Sequence, residues 1–414
     1  MQNRKPLYLL FTANAISGVA QGMSMLSIPW YFTSTGQTQV FNLFYGALTF
    51  MALFWGLYAG TLIDRYPRKR VFLATNMLEG TLILSIALLG LTTTLSSTWL
   101  VPLVFAVTMF GYYMHYPNMY AFIQEITHAE DYGKATSAIE IVGQSTTIIA
   151  GGCTAILLEG FQIQMPWLGL VQMAPWSIYH IFLLDAATYF IAFALIASLR
   201  YVPVRVCVPE TGSLALRLSG GFAYLRQHSE VLQFGLLSYV VFMALLVELN
   251  TLLPLYVKQQ LKEGAAAFGI AEMCYAAGAL FSGLFARRLF SSFTLTASVV
   301  GFLSIASVAF LLPAFTTSAV AFYVWSFFIG LGNAGARIYR LTWLFRKVPN
   351  ERIGRVNSIF SMVNVIGRTL LIFLFSTSFF QVSNNVTYGY LLLGLLIALS
   401  VAILLWHYRR FQSV

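Results

Sequence analysis

The stretch Gly60–Arg70 reads GTLIDRYPRKR. A long apolar run precedes it, and another follows from Val71. Five of its last seven residues, Asp64 to Arg70, are charged, in a chain of 414 residues that is 58% hydrophobic and only 9% charged. Soluble domains carry about 25% charged residues, and a surface this poor in charge invites aggregation. A bilayer is the better-matched solvent. A spanning helix needs roughly 20 apolar residues at about 1.5 Å of rise each. The runs on either side of Gly60–Arg70 meet that length. The stretch therefore reads as a short polar loop between two membrane spans.

Working outward, apolar runs of spanning length fall near 7–33, 41–63, 71–92, 98–122, 137–158, 177–199, 232–257, 267–286, 293–312, 318–343, 357–380 and 388–407. That makes twelve expected helices. Segment 159–176, with two prolines and several aromatic residues, reads as an interfacial loop. With the N-terminus inside, Arg4, Lys5, Arg65, Arg68, Lys69, Arg70, Lys134, Arg200, Arg205, Arg217, Arg226, Arg287, Arg288, Arg346, Lys347, Arg352, Arg355, Arg409 and Arg410 all lie on the inner side. Outside loops hold Lys258 and Lys262. Basic residues favour the cytoplasmic side, so both termini are expected in the cytoplasm. The N-terminal run lacks a small-residue cleavage site and reads as a retained first span.

The net charge of +10 sits in short clusters. No basic domain exists for nucleic acid. Cys153, Cys207 and Cys274 form no CxxC pair and no metal-ligand spacing, and read as space-filling. The longest polar stretch separates two halves. The expected organisation is a six-helix bundle over 1–200, a linker with a surface helix over 201–230, and a second bundle over 231–414. The halves repeat. Glu130, Gly133, Lys134 and Ser137 meet Glu351, Gly354, Arg355 and Ser358 at an offset of 221, and Gly60 meets Gly283 at 223. Parallel repeats of this kind point to a transporter with its site between the halves.

The loop Gly60, Asp64, Arg65, Arg68, Lys69 and Arg70, after the second span of a six-plus-six chain, resembles the signature loop of the major facilitator superfamily. Pro67 stands where that pattern has glycine. FLLDAATYFIAFALIASL in span six, GGFAYLRQHSEVLQFGLL before span seven and ERIGRVNSIFS before span eleven resemble the branch with macrolide exporters and the enterobactin exporter. The resemblance covers nearly the whole chain. It implies an all-α membrane protein of two pseudo-symmetric six-helix bundles, and solute export coupled to proton entry. It also implies that spans one, four, seven and ten surround a cavity. Asp64 and its loop are then expected to latch an inner gate. Span five keeps Gly143, Gly151 and Gly152 of an antiporter pattern, with Thr147-Ile148 in place of its central Gly-Pro. The places in span three where the family tends to have Asp and Arg hold Asn76 and Glu79.

Ionisable groups inside spans are costly and mark function. Glu248, on span seven, is the expected proton-coupling acid, because a carboxylate partly out of water can exchange a proton near neutral pH. Glu140 and His115 are further coupling candidates. Glu79 and Asp185 lie on outer spans and read as structural. Asn14, Ser17, Gln21 and Ser24 recur at helical spacing on span one. Tyr112, Tyr116 and their neighbours line span four. Both sets are expected to face a cavity suited to a bulky amphiphile. Asn333, Arg337 and Arg368 join them, Arg368 following Ser361 and Asn364 on one face. Arg368 pairs either with a carboxylate or with an anionic solute. Arg340 is expected to snorkel to the cytoplasmic interface. Gly330–Gly335 spells GxGxxG but lies inside a span and follows no strand, so it reads as helix packing.

The sequence holds no P-loop, HExxH or GxSxG, and no enzyme, cofactor or metal is expected. The expected function is proton-coupled export of an amphiphilic drug-like compound or siderophore, in a bacterial inner membrane. The alternatives are uptake or lipid flipping on the same fold, or a non-transporting receptor or membrane-embedded enzyme. Expected partners are the solute, protons and the bilayer. Oligomeric state is not legible.

Overall fold

The computed structural model describes residues 4–92, 97–128, 131–165, 169–201, 214–289, 292–382 and 384–411. The first half builds α1 (Arg4–Ser34), α2 (Thr38–Arg65), α3 (Arg68–Thr92), α4 (Ser97–Ile126), α5 (Tyr132–Glu159) and α6 (Ile178–Ala197). A surface helix, α7 (Leu214–Gln227), follows. The second half builds α8 (Ser229–Val247), the single turn α9 (Leu253–Tyr256), α10 (Ala265–Leu289), α11 (Leu295–Leu311), α12 (Ala319–Lys347), α13 (Asn350–Phe375), the turn α14 (Ser378–Gln381), α15 (Val386–Trp406) and the turn α16 (Tyr408–Phe411). Among the described residues, eleven helices are long and apolar enough to cross a membrane. At 30 residues, α4 is the twelfth long helix. The fold is the expected twelve-helix membrane protein.

Segment 159–176 departs from the expected loop. β1 (Phe161–Met165) and β2 (Gly169–Met173) pair antiparallel, with Phe161 opposite Met173. Gly160, at φ 70, turns the chain out of α5. A Cβ there would also collide with the Met173 carbonyl. The linker residues 202–213, including Cys207, lie outside the described residues. Cys153 and Cys274 are free thiols.

Contacts divide the chain into two compact units. The first comprises residues 1–36 and 51–210. In it α1 packs on α5 and α6, and α3 on α4 and α6. The second comprises residues 37–50 and 211–414, so it includes the start of α2. There Tyr45 donates to the Leu246 carbonyl at 3.1 Å. In the same unit α12 packs against α10 and α11, and α8 against α13 and α15.

The seventh span is one helical rod, Ser229–Leu261, that changes pitch twice. Glu248–Leu252 and Val257–Leu261 are π-helical turns around α9. The physical reason for the first is Pro254. Proline supplies no N–H and its ring clashes with the carbonyl four residues back. Widening the preceding turn relieves that clash, and such π turns concentrate at functional positions. Lys262, at φ 58, ends the rod.

Glycines set the tightest crossing. A Cβ on Gly278 of α10 would collide with the Phe327 carbonyl of α12, and a Cβ on Gly330 with the Tyr275 carbonyl of α10. Cβ atoms on Gly332 and Gly335 would also crowd α11, the first at 2.8 Å from Ala306 and the second closer still to the Phe302 ring. The GxGxxG string is therefore the seam where α10 and α11 close on α12.

Candidate functional site

The charged loop is short. Tyr66 and Pro67 separate α2 from α3, and the Pro67 carbonyl accepts from Arg70 N (2.8 Å) and Val71 N (3.1 Å). Proline suits a helix entry, where its missing N–H has no intrahelical partner to lose. Lys69 Nζ donates to the carbonyls of Ala197 and Leu199, each at 2.8 Å. It thereby caps the C-terminal end of α6, where a cation meets the helix dipole. Asn118 Nδ2 donates to the Arg68 carbonyl at 3.0 Å. Arg65 and Arg70 are exposed. No atom lies within 4 Å of where a Cβ would sit on Gly60 or Gly143. The Asp64 side chain lies outside the described residues. On α5, Gly151 is buried and Gly152 half-buried. Close packing of α1 on α5 falls instead to Gly22, whose added Cβ would meet Ala150 at 2.7 Å. Beyond α6, Tyr201 donates to Glu125 at 3.2 Å, and burial with this neighbour pushes the phenol up to about 12.

Three of the four polar residues in the α1 stripe are spent inside their own unit. Asn14 Oδ1 pairs with His115 Nε2 at 2.8 Å. Ser17 bonds back to the Ala13 carbonyl at 3.0 Å. Gln21 Nε2 donates to the Tyr189 hydroxyl of α6 at 2.8 Å. That hydroxyl in turn bonds the Glu79 carboxylate of α3. Asp185, one turn from Tyr189, is fully buried beside Ser24. Glu79 lies flat on α4, 2.5 Å from where a Cβ on Gly111 would be. Thus Glu79 and Asp185, read from sequence as isolated structural groups, share one buried neighbourhood. Tyr112 and Tyr116 stack at 5.6 Å on α4, with His115 edge-on to Tyr116 at 5.5 Å. Glu140 accepts from the Tyr120 hydroxyl at 3.2 Å.

The second unit gathers a matching set. Glu248 opens the first π turn and is 4% exposed. The Tyr390 hydroxyl of α15 donates to its Oε1 at 2.8 Å. Glu272 of α10, equally buried, lies near enough for the two carboxylates to interact. Sequence reading passed over Glu272, although a lone acid inside a span is itself a signal. Asn333 Nδ2 donates to the Tyr275 hydroxyl at 3.0 Å, and Arg337 lies near that phenol. Among the described residues, no ion pair joins a basic side chain to Glu79, Asp185, Glu248 or Glu272.

Two arginines each bury an Nε without a partner among the described residues, yet differ in the rest of the guanidinium. Arg340 does not snorkel. It is 3% exposed, donates from Nη1 to the Ser238 carbonyl at 2.9 Å, and lies 3.6 Å over the Tyr239 ring. Because α12 continues to Lys347, Arg340 sits two turns inside the helix end. Arg368 of α13 is buried too, yet its Nε meets no partner, and it forms no ion pair among the described residues. Asn364, one turn earlier, is buried with Nδ2 unpartnered, and Asn357 has an unpartnered Oδ1.

A family profile described as Major Facilitator Superfamily matches residues 10–372. No curated protein matches the chain. Among solved structures, the nucleoside transporter NupG is similar at a TM-score of 0.68 and 12% identity, covering 97% of this chain and 99% of that one. A bacterial homologue of the iron transporter ferroportin, in its inward-facing state, is similar at 0.66 and 17% identity, covering 99% of each chain. The POT family transporter PepTSo is similar at 0.72 and 11% identity, covering 99% of this chain and 98% of that one. At such identities the likeness is one of fold.

Proposed function

The chain belongs to the major facilitator superfamily, and on that premise we propose that it is a proton-coupled exporter of an amphiphilic small molecule, working by alternating access. Its place is the bacterial inner membrane with both termini in the cytoplasm, and its branch is that of the macrolide and enterobactin exporters. One observation carries the coupling role. Glu248 sits at a pitch change in the seventh span, bonded by Tyr390, beside Glu272 and without a cationic partner among the described residues. Two carboxylates in a dry interior repel, and their shared charge is relieved by a proton. A π turn is a place where a helix changes its hydrogen bonding at low cost. Proton gain or loss at Glu248 therefore biases the local pitch of the span, which is what a coupled carrier requires. The charged loop Gly60–Arg70 is the inner gate element, held to the end of α6 by Lys69.

Vesicle transport tests this reading. Inverted vesicles from cells expressing the protein are energised to an acidic lumen and loaded with a lipophilic dye. Wild-type vesicles are expected to accumulate dye only while the gradient stands, and Glu248→Gln vesicles to lose that dependence. Uptake of dye with the gradient reversed would replace export with import.

A further inference from the structure

In a membrane span, a polar side chain that faces nothing polar is expensive. The stripes on α1 and α13 look alike in sequence, four polar residues at helical spacing, yet the fold partners them unequally, with Ser24 Oγ the one member of the α1 stripe lacking a hydrogen bond among the described residues. On α1, Asn14, Ser17 and Gln21 each have a partner within the first unit. On α13, Asn357, Ser361, Asn364 and Arg368 lie on one face. There Asn357 Oδ1, Asn364 Nδ2 and Arg368 Nε are all buried without a partner among the described residues.

Arginine is the decisive member. Its guanidinium stays charged, and burying a charge without a counter-charge costs several kcal/mol. A carboxylate one turn away would be the obvious remedy, but that place on α13 holds Asn364. Asn364 and Arg368 are 7% exposed each, and Asn364 Nδ2 and Arg368 Nε meet no acceptor among the described residues. Two adjacent sets of donors with no acceptor describe half of a hydrogen-bonded pair. The missing half is an oxyanion. A guanidinium fork takes a carboxylate or phosphate through two parallel bonds, and the asparagine amide one turn below adds a third donor.

We infer that Arg368 and Asn364 form the anchor for an anionic head, a carboxylate or phosphate, on the amphiphilic solute that this protein carries. The inference rests on the proposed transport of an amphiphile and narrows it to an anionic one. It also answers the choice that the sequence leaves open for Arg368, in favour of the solute over an internal carboxylate. Seating the anion neutralises the buried cation, so the loaded state is the more stable one, and unloading re-exposes the cost.

The test is binding, which needs no transport. Purified full-length protein in neutral maltoside detergent is titrated with dodecyl phosphate, and its thermal unfolding is followed. Dodecyltrimethylammonium serves as the cationic control. Dodecyl phosphate is expected to raise the unfolding temperature and the cation to leave it unchanged. Arg368→Met is expected to fold at least as stably without ligand, because the unpaired charge is gone, and to bind dodecyl phosphate about tenfold or more weakly. Arg368→Lys is expected to retain part of the affinity. An unchanged shift in Arg368→Met overturns the anchor. Stabilisation by phosphatidylglycerol nanodiscs with none by dodecyl phosphate overturns it as well, because the anion would then be a lipid headgroup. A normal anion shift beside a failed vesicle assay would sink the export reading and leave the anchor standing.

Discussion

At the scale of single residues, burial and partnership decide roles that residue type alone leaves ambiguous. Arg340 and Arg368 are both arginines within spans, both nearly excluded from solvent. Arg340 is held by the Ser238 carbonyl and by the face of Tyr239, with only its Nε unpartnered among the described residues, so it ties α12 to α8. A lysine cannot reproduce that arrangement, since its ammonium lacks both the flat face and the spread of donors. Arg340→Lys is therefore expected to lower stability by about 1–3 kcal/mol, read as a fall in the unfolding temperature of the purified protein, with dodecyl phosphate binding retained. Unchanged stability would show that the Ser238 and Tyr239 contacts contribute nothing. Sequence reading placed Arg340 at the interface because it ended the tenth span near residue 343. The helix in fact runs to Lys347, and that shift of one turn moves the guanidinium from headgroup depth into the packed interior.

At the scale of elements, what was legible was length and apolarity, and what was hidden was anything set by a neighbour. All twelve long helices correspond to apolar runs, because a bilayer leaves backbone polar groups no alternative to internal pairing. The hairpin was missed although FQIQM alternates apolar residues with glutamine, a strand pattern. Its prolines and aromatics favour loop chemistry in the same stretch. The π turns of the seventh span leave no periodic mark, and Pro254 is the visible cause of the first. The glycine seam of α12 was readable, since small residues spaced along an apolar helix allow close approach. It makes a sharp demand. The added Cβ of Gly330 meets a backbone carbonyl, which cannot rotate away. Gly330→Val must push α10 and α12 apart, and overpacking of this kind costs about 1–3 kcal/mol or more. The expected result is poor expression and early unfolding in detergent. Gly283→Ala, where no atom lies within 4 Å of the added Cβ, should be silent in the same assay. Equal behaviour of the two variants would refute the seam.

For the whole molecule, the remaining question is which way the chain faces, and charge distribution makes a definite claim. Basic residues retained on one side cost energy to translocate, so their placement fixes orientation during insertion. The loop Asp64–Arg70, Lys134 in the first turn of α5 and the basic end of α12 all belong to the side assigned to the cytoplasm. The turn after the seventh span, Lys262–Gly264, falls on the other. Both Lys134 and Glu263 are exposed, so each accepts a reporter without disturbing packing. With Cys153, Cys207 and Cys274 replaced by serine, a cysteine is introduced by Glu263→Cys or by Lys134→Cys. A membrane-impermeant maleimide is expected to label the first in cells whose outer membrane alone is permeable. The second should label only after the inner membrane is opened. The reverse pattern would turn the molecule over and put the charged loop outside. It would remove the inner gate from residues 60–70 and invert the direction in which a proton reaching Glu248 drives the cycle. Labelling of both from outside would break the odd count of crossings between residues 134 and 263. That count requires α5, α6 and the seventh span to cross three times and leave the two reporters on opposite faces.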